Sequence, residues 1–136
     1  MTHLEVLTIT EDADCNRLME IVGDTFQFAS GGTDDYARRV TSLRAVKRDD
    51  DIAGGLAVLD MGQFFGGVSV RSAGIGAVAI TPAARGGGTA TALMQDTMHA
   101  LHDEGYAVSS LFPAVIPLYR RAGYELAGEK YRTILG

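Results

Sequence analysis

Residues 75–90 run Ile75-Gly76-Ala77-Val78-Ala79-Ile80-Thr81-Pro82-Ala83-Ala84-Arg85-Gly86-Gly87-Gly88-Thr89-Ala90, and no other stretch restricts the fold as much. It opens as an apolar run with β-branched residues at 75, 78 and 80, the composition of a buried strand. Pro82 ends that strand, because proline has no N–H to give to a ladder. Three glycines follow, and from Thr89 onward apolar residues recur at helical spacing. A strand, a glycine turn and a helix N-terminus in succession make a seat for an anion. The turn's N–H groups point outward and the helix dipole favours negative charge there.

The rest of the chain sets bounds on which anion this could be. Its 136 residues predict one domain, 1–136, with a single ordinary core. Apolar residues make up 46% and charged residues 21%, as in a folded rather than a disordered chain. A net charge of −5 argues against nucleic acid as the main partner. The single cysteine, Cys15, cannot form an internal disulfide and fits a reducing compartment. Met1 to Thr10 lacks the basic start and apolar run of a signal peptide, and no stretch of 18 apolar residues exists to span a membrane. The expectation is a cytoplasmic protein without a membrane partner.

In chain order, Leu4 to Ile9 reads as a first strand and Thr10 as the N-cap of a helix that begins with Glu11 and Asp12. Cys15, Leu18, Met19, Val22 and Phe26 form its apolar stripe, and Ser30-Gly31-Gly32 breaks it. Asp34 to Val40 predicts a second, shorter helix. Leu43 to Arg48 and Ile52 to Met61 predict two strands around Asp49-Asp50-Asp51, which reads as a solvated hairpin turn; a cation site there would need oxygen ligands from elsewhere. Gln63 to Arg71 continues as extended chain. Gly54, Gly55, Gly66 and Gly67 suggest bulges or sharp bends in this β region.

After the glycine turn, Ala90, Leu93, Met94, Thr97, Met98 and Leu101 mark a helix ending near Gly105. Tyr106 to Leu111 predicts another strand, and Ala114 to Ala122 a short helix with Pro117 in its first turn and Gly123 at C′. Tyr124 to Leu135 predicts a last strand. The order β-α-α-β-β-β-α-β-α-β describes an α/β (α+β) domain with a mixed, mostly antiparallel central sheet.

Three motifs compete with the glycine turn. Gly74-Ile75-Gly76-Ala77-Val78-Ala79 spells a dinucleotide fingerprint, but more strand and a proline follow it where a helix would have to begin. His99 and His102 lie three apart on a polar helix face with no third metal ligand in view, so a solvated pair is the simpler reading. Cys15 sits on an apolar stripe, which favours a core thiol over a nucleophile. In contrast, Arg85-Gly86-Gly87-Gly88-Thr89-Ala90 fits R-x-x-G-x-A at a strand-to-helix turn. Small residues through its first helical turn let a bulky phosphate approach the backbone closely.

The strand, Pro82, Arg85 to Ala90 and the later Leu118-Tyr119-Arg120-Arg121-Ala122-Gly123-Tyr124 resemble the GCN5-related N-acetyltransferase (GNAT) superfamily. Within it, Gly62-Gln63-Phe64-Phe65-Gly66-Gly67, Ala73-Gly74-Ile75-Gly76 and Leu111-Phe112-Pro113-Ala114 before Pro117-Leu118-Tyr119 are similar to the enhanced-intracellular-survival (Eis) proteins, aminoglycoside and lysine N-acetyltransferases. The resemblance runs from about Asp51 to Gly128. It implies a GNAT fold with helices on both sheet faces and acetyl-CoA as co-substrate, with no metal. Backbone groups of Val78, Ala79 and Ile80 would pair with the pantetheine arm. The turn and first helical residues, Arg85, Gly86, Gly87, Gly88, Thr89, Ala90 and Thr91, would hold the pyrophosphate. Ala114 and Val115 would lie beside the thioester, and Tyr119 falls on the family's general-acid tyrosine. A phenol with a pKa of ~10 is protonated at neutral pH and can donate to a departing thiolate. Core packing is the alternative for Tyr119, and Tyr124 reads as structural.

Two departures bear on function. Related Eis proteins often carry several arginines in the phosphate turn, where this chain has Arg85 and then three glycines. No carboxylate lies on Gly74 to Ile80, where many GNAT enzymes place a base; in the Eis group the base is the carboxylate at the end of a longer, multi-domain chain. This chain stops at Gly136, after an expected sixth strand and without a seventh. The resulting expectation is direct acetyl transfer to a primary amine, an aminoglycoside, polyamine or lysine-like small molecule or peptide. Non-catalytic acyl-CoA binding, and a truncated relative that works only as a homo-oligomer, are the alternatives.

Overall fold

The computed structural model describes residues 3–26, 40–129 and 131–135. Strand β1 (Leu4–Ile9) leads into helix α1 (Asp12–Phe26), and β2 (Ser42–Arg48), β3 (Asp51–Phe65) and β4 (Val68–Ile80) follow. A 3-10 turn (Pro82–Ala84) precedes α2 (Thr89–Asp103), and β5 (Val108–Leu111) and α3 (Ile116–Arg121) complete the set. The strands form one sheet in the order β1-β2-β3-β4-β5. All neighbours are antiparallel except β4 and β5, which run parallel.

The hairpin turns follow from backbone geometry. Asp49 and Asp50 both adopt positive φ, 50° and 72°, and Arg48 pairs with Asp51 across them. Gly66 and Gly67, at 55° and 82°, do the same between β3 and β4. Two consecutive positive φ values match the twist of antiparallel arms. The acidic run is therefore the hairpin turn expected of it, with Asp49 also tied to His3 by backbone and side-chain hydrogen bonds.

Two apolar layers sandwich the sheet. On one face Leu18, Ile21 and Val22 of α1 pack on Ile9, Ala45, Ile52 and Ala79. On the other, Leu93, Met94 and Leu101 of α2 pack on Val46, Leu56, Val58, Ala73 and Ile75. Alternate residues of a strand face opposite sides, so Ala45 and Val46 serve different layers. The α2 stripe is the expected one. In α1, Ile21 takes a buried place while Phe26 is exposed, and the first helical bond runs from Cys15 N–H to the Glu11 carbonyl, so Glu11 rather than Thr10 caps the helix.

Gly54 and Gly55 are not bends. A Cβ on Gly55 would stand 2.4 Å from the Arg44 carbonyl oxygen and 2.7 Å from Leu18, and one on Gly54 2.3 Å from the Ala79 carbonyl oxygen. These glycines let α1 and β4 approach β3 closely. The bulges fall beside them. The β2–β3 register shifts at Val46/Lys47, and the β3–β4 register shifts between Gly55 and Ala57, where Gly76 and Ala79 are the partners and β4 carries one extra residue.

Two expectations need correction. Tyr124 to Leu135 forms no strand; its described residues, 124–129 and 131–135, have no regular structure, so the sheet has five strands and the sixth is missing among the described residues. The segment has no strand neighbour, since β5 pairs only with β4 among the described residues. The short helix also begins later, at Ile116, which leaves Ala114 and Val115 ahead of it. The second helix expected from Asp34 and the Ser30-Gly31-Gly32 break before it lie outside the described residues over 30–39. No helix among the described residues is long and apolar enough to cross a membrane.

Two glycine substitutions test this account in opposite directions. Gly55→Ala should destabilise by ~2 kcal/mol or more, because its Cβ meets fixed backbone. Gly23→Ala, in α1 with nothing within 4 Å of the new Cβ, should stabilise by ~0.5–1 kcal/mol. Urea unfolding of both variants measures the difference.

Candidate active site

The site is organised along the C-terminal half of β4. Ladder pairing with β5 stops at Ile75–Leu111, while β4 continues to Ile80 against β3 alone. Two local causes separate the strands. Pro113, just beyond β5, cannot donate to a ladder, and β4 bulges at Ala77, whose φ is +53°. From Gly76 to Ile80 one edge of β4 thus has no strand partner among the described residues.

Beyond Ile80 the chain turns through Pro82–Ala84 and enters the glycines. Gly86 and Gly88 have φ of 85° and 75°, and a Cβ at either would meet nothing within 4 Å. Positive φ suits glycine, and the empty surroundings leave the turn's backbone approachable. Gly88 caps α2 without a side-chain hydrogen bond, and the first helical bond is Ala92 N–H to the Gly88 carbonyl. The N–H groups of Thr89, Ala90 and Thr91 therefore have no helical acceptor. An open turn followed by orphan donors at the positive end of a helix fits a pyrophosphate.

The side chains there are mostly committed elsewhere. Thr89 is 2% exposed and its hydroxyl donates to the Ala84 carbonyl, locking the turn to the helix. Arg85 donates from Nε to the Ile80 carbonyl at 3.2 Å and so folds back over the strand end. A second guanidinium reaches the same turn. Arg48 donates to the Ala83 carbonyl at 3.3 Å, a contact that no local motif signals because Arg48 ends β2. Ala79 and Ile80 are buried and pair with Gly55 and Gly54, and Val78 packs against the α2 layer. Ala114 and Val115 are exposed, with Val115 capping α3.

At the other end of the free edge lies a cavity of about 590 Å³, lined by Gly74, Ile75 and Gly76 of β4 and by Leu111, Tyr119 and Tyr124. Of the site residues expected from sequence, Tyr119 alone lines it. Tyr119 is 7% exposed and belongs to the core layer with Leu93 and Met94. Its hydroxyl has no hydrogen-bond partner among the described residues, and burial pushes its pKa up from the ordinary phenol value. Tyr124 packs edge-on against it, ring centroids 6.3 Å apart, and pairs its own hydroxyl with Ser109 at 2.5 Å. Tyr124 thus packs against Tyr119 with its own hydroxyl already satisfied. The irregular 124–129 segment closes the cavity and adds Glu125 and Glu129, which sequence reasoning missed by reading a strand there.

The lesser candidates lie away from this place. His99 and His102 are on the exposed face of α2, and no group of three or more metal-ligating side chains gathers among the described residues. Cys15 is half-buried, and burial with Asp12 and Asp14 raises its thiol pKa, which opposes thiolate formation.

Residues 7–127 match the family model described as an acetyltransferase (GNAT) domain. The fold is shared with a GCN5-related N-acetyltransferase from Anabaena variabilis, 38% identical with a TM-score of 0.85 over 93% of this chain and 33% of that one. A probable N-acyltransferase from Enterococcus faecalis is 26% identical with a TM-score of 0.81, covering 92% of this chain and 33% of its own. A GCN5-related N-acetyltransferase from Kribbella flavida is 28% identical with a TM-score of 0.79, covering 91% and 33%. This chain spans about a third of the length of these relatives. No curated protein matches it. The chain belongs to the GNAT acetyltransferase family.

A carboxylate placed in the turn tests the anion seat. Gly87 has room for a side chain, the nearest atom to its Cβ being Thr89 Oγ1 at 3.9 Å. Gly87→Asp should weaken acetyl-CoA binding by about tenfold or more through like-charge repulsion, with little change in melting temperature. Calorimetric titration and a thermal melt read the two effects separately.

Proposed function

We propose that this chain is an acetyl-CoA-dependent N-acetyltransferase that passes an acetyl group directly to a primary amine in a ternary complex. The observation that carries this reading is the free edge of β4 from Gly76 to Ile80. It joins a cavity holding a tyrosine hydroxyl that has no partner among the described residues to a glycine turn with open N–H groups.

In this reading the backbone of Val78, Ala79 and Ile80 pairs with the pantetheine arm. The residues Arg85 to Thr91 hold the pyrophosphate mainly through main-chain donors, supported by Arg85 and Arg48. Ala114 and Val115 flank the thioester end. Backbone N–H groups polarise the thioester carbonyl, and Tyr119 protonates the departing thiolate. The acceptor is a small-molecule or peptide amine; the base is unassigned, and an amine arriving neutral needs less of one.

The closer kinship with Eis-like proteins is supported by the motifs around Gly62, Ala73 and Leu111 and by solved relatives about three times this length. A homo-oligomer would cover the outer edge of β5, which has no strand neighbour among the described residues.

Calorimetry with acetyl-CoA, then turnover over a panel of amines, tests the proposal. Tyr119→Phe should lower kcat by about 100-fold or more while acetyl-CoA affinity changes by less than about twofold. Absence of acetyl-CoA binding would sink the proposal. Binding without turnover in either form would mark a non-catalytic acyl-CoA-binding domain.

The pH profile carries a second test. Because folding raises the Tyr119 pKa, its proton stays in place below the ordinary phenol value of ~10 and is lost only as pH rises through the raised one. At saturating amine, kcat should hold from about pH 8 to about pH 10 and fall above it. The stability that comes from burying the neutral phenol should disappear over the same alkaline window. The residual activity of Tyr119→Phe should lack that alkaline limb.

A further inference from the structure

We infer that the acceptor is a monoamine carried on an apolar body, rather than a polycation such as an aminoglycoside or polyamine. This rests on the acetyl-transfer reading above and narrows its substrate class.

The cavity beside Tyr119 has walls of Leu59, Met61, Ile75, Leu111, Ile116 and Leu126. Its volume of about 590 Å³ suits a small molecule. Gly74 lets the Met61 side chain lie close over the strand at the cavity wall: a Cβ on Gly74 would stand 2.7 Å from Met61 Sδ. Walls of this kind favour an arylalkyl or branched alkyl group.

Among the described residues three charged side chains line the cavity, Arg120, Glu125 and Glu129. Two of them cancel. Arg120 donates to Glu125 Oε1 from Nε at 3.1 Å and from Nη2 at 2.8 Å, and Leu126 N–H donates to the same oxygen at 3.0 Å. The Arg120 guanidinium, with the Leu126 N–H, holds the Glu125 carboxylate below its ordinary pKa. Glu129 is different. It accepts from the Tyr131 hydroxyl at 2.5 Å and meets no cation among the described residues.

Among the described residues the lining thus offers one uncompensated negative charge, which matches one ammonium. A polycation would press its remaining charges against Leu59, Met61 and Leu111, where nothing replaces their lost hydration. Glu129 draws the ammonium to the rim and the apolar body fills the walls. After loss of one proton to water the amine nitrogen attacks the thioester carbonyl of acetyl-CoA. The C–N bond forms as the C–S bond breaks, the electron pair leaves on sulfur, and Tyr119 protonates it. The surplus proton on the new amide nitrogen returns to Tyr119 through water, leaving an acetamide and CoA thiol.

Thiol release from acetyl-CoA by the full chain, with 2-phenylethylamine, spermidine and kanamycin as acceptors, decides the matter. The expected kcat/KM for 2-phenylethylamine exceeds the other two by about tenfold or more. Glu129→Gln should raise its KM by about three- to fivefold, the size of one exposed ion pair, with kcat changed by less than about twofold. Added salt should raise KM in the parent chain and not in Glu129→Gln, a response that a merely structural Glu129 would not give. Preference for spermidine or kanamycin, or an unchanged KM in Glu129→Gln, would overturn the inference while acetyl transfer stands. No acetyl-CoA binding, or no thiol release with any amine, would overturn both.

Discussion

Strand β4 has two partners from Ser72 to Ile75 and one from Gly76 onward, and the rest of the structure depends on that change. A central strand that loses a neighbour leaves backbone donors and acceptors open inside the molecule, where unmet groups are expensive. Here they face the gap left by β5, and an extended amide-bearing arm can complete the ladder as an added strand would. The bulge at Ala77 contributes by turning the strand locally. A non-glycine residue at φ +53° is uncommon, and it sits where the strands part. The glycine turn continues the same line, since Ile80, Pro82 and Gly86 carry the chain from the free edge to the helix N-terminus.

That arrangement requires α2 to stay fixed on the sheet, and a polar knot does part of this. Arg44, on β2, is 6% exposed and crosses the α2 face of the sheet. Its guanidinium donates to Thr97 Oγ1 and Thr8 Oγ1, each at 3.1 Å, and to the Asp96 carboxylate. A buried cation without these partners would be strongly unfavourable, so the contact is directional: it holds α2 in one register on β1 and β2. Apolar packing by Leu93, Met94 and Leu101 supplies most of the attraction but tolerates small sliding. Thr89 then secures the other end of the turn through the Ala84 carbonyl, and the orphan N–H groups of α2 face one fixed direction.

The sequence showed the strand, turn and helix of the anion seat because each has a local cause: β-branched residues, Pro82, glycines and a helical stripe from Ala90 to Leu101. It also pointed to Tyr119, through the motif around it, and that side chain lines the cavity. What it hid is non-local. Arg48 meets Ala83 from another strand, and Arg44 looks like an ordinary alternating residue of β2 until Thr97 and Asp96 are brought opposite it. Gly54 and Gly55 suggested bulges or sharp bends; bulges do fall beside them, but the reason no side chain fits, the closeness of Leu18 and Ala79, lies in tertiary contact. The strand expected over 124–135 failed for the converse reason: extended chain becomes a strand only where a neighbour exists, and here Glu125 and Glu129 become cavity wall.

The raised pKa of Tyr119 constrains how the proposed reaction can work. A phenol at ~10 is already a weaker acid than an alkyl thiol at ~8.5 in water, so burial of the phenol alone would make proton transfer to a thiolate less favourable. The balance changes when the thiolate forms in the same apolar surroundings, because desolvation raises a thiol's pKa as well. Leu111, Ile75 and Ile116 make the cavity such a place, and they act on both partners in the transfer. The Tyr119 hydroxyl, with no competing acceptor among the described residues, can then donate to sulfur as its charge develops, before the proton fully moves. In a low-dielectric site that hydrogen bond gains strength with each increment of charge, which favours the transition state over the bound thioester. Core packing alone needs no hydroxyl at a cavity wall; among the described residues that of Tyr119 has no partner, and the proposed donation to sulfur would use it.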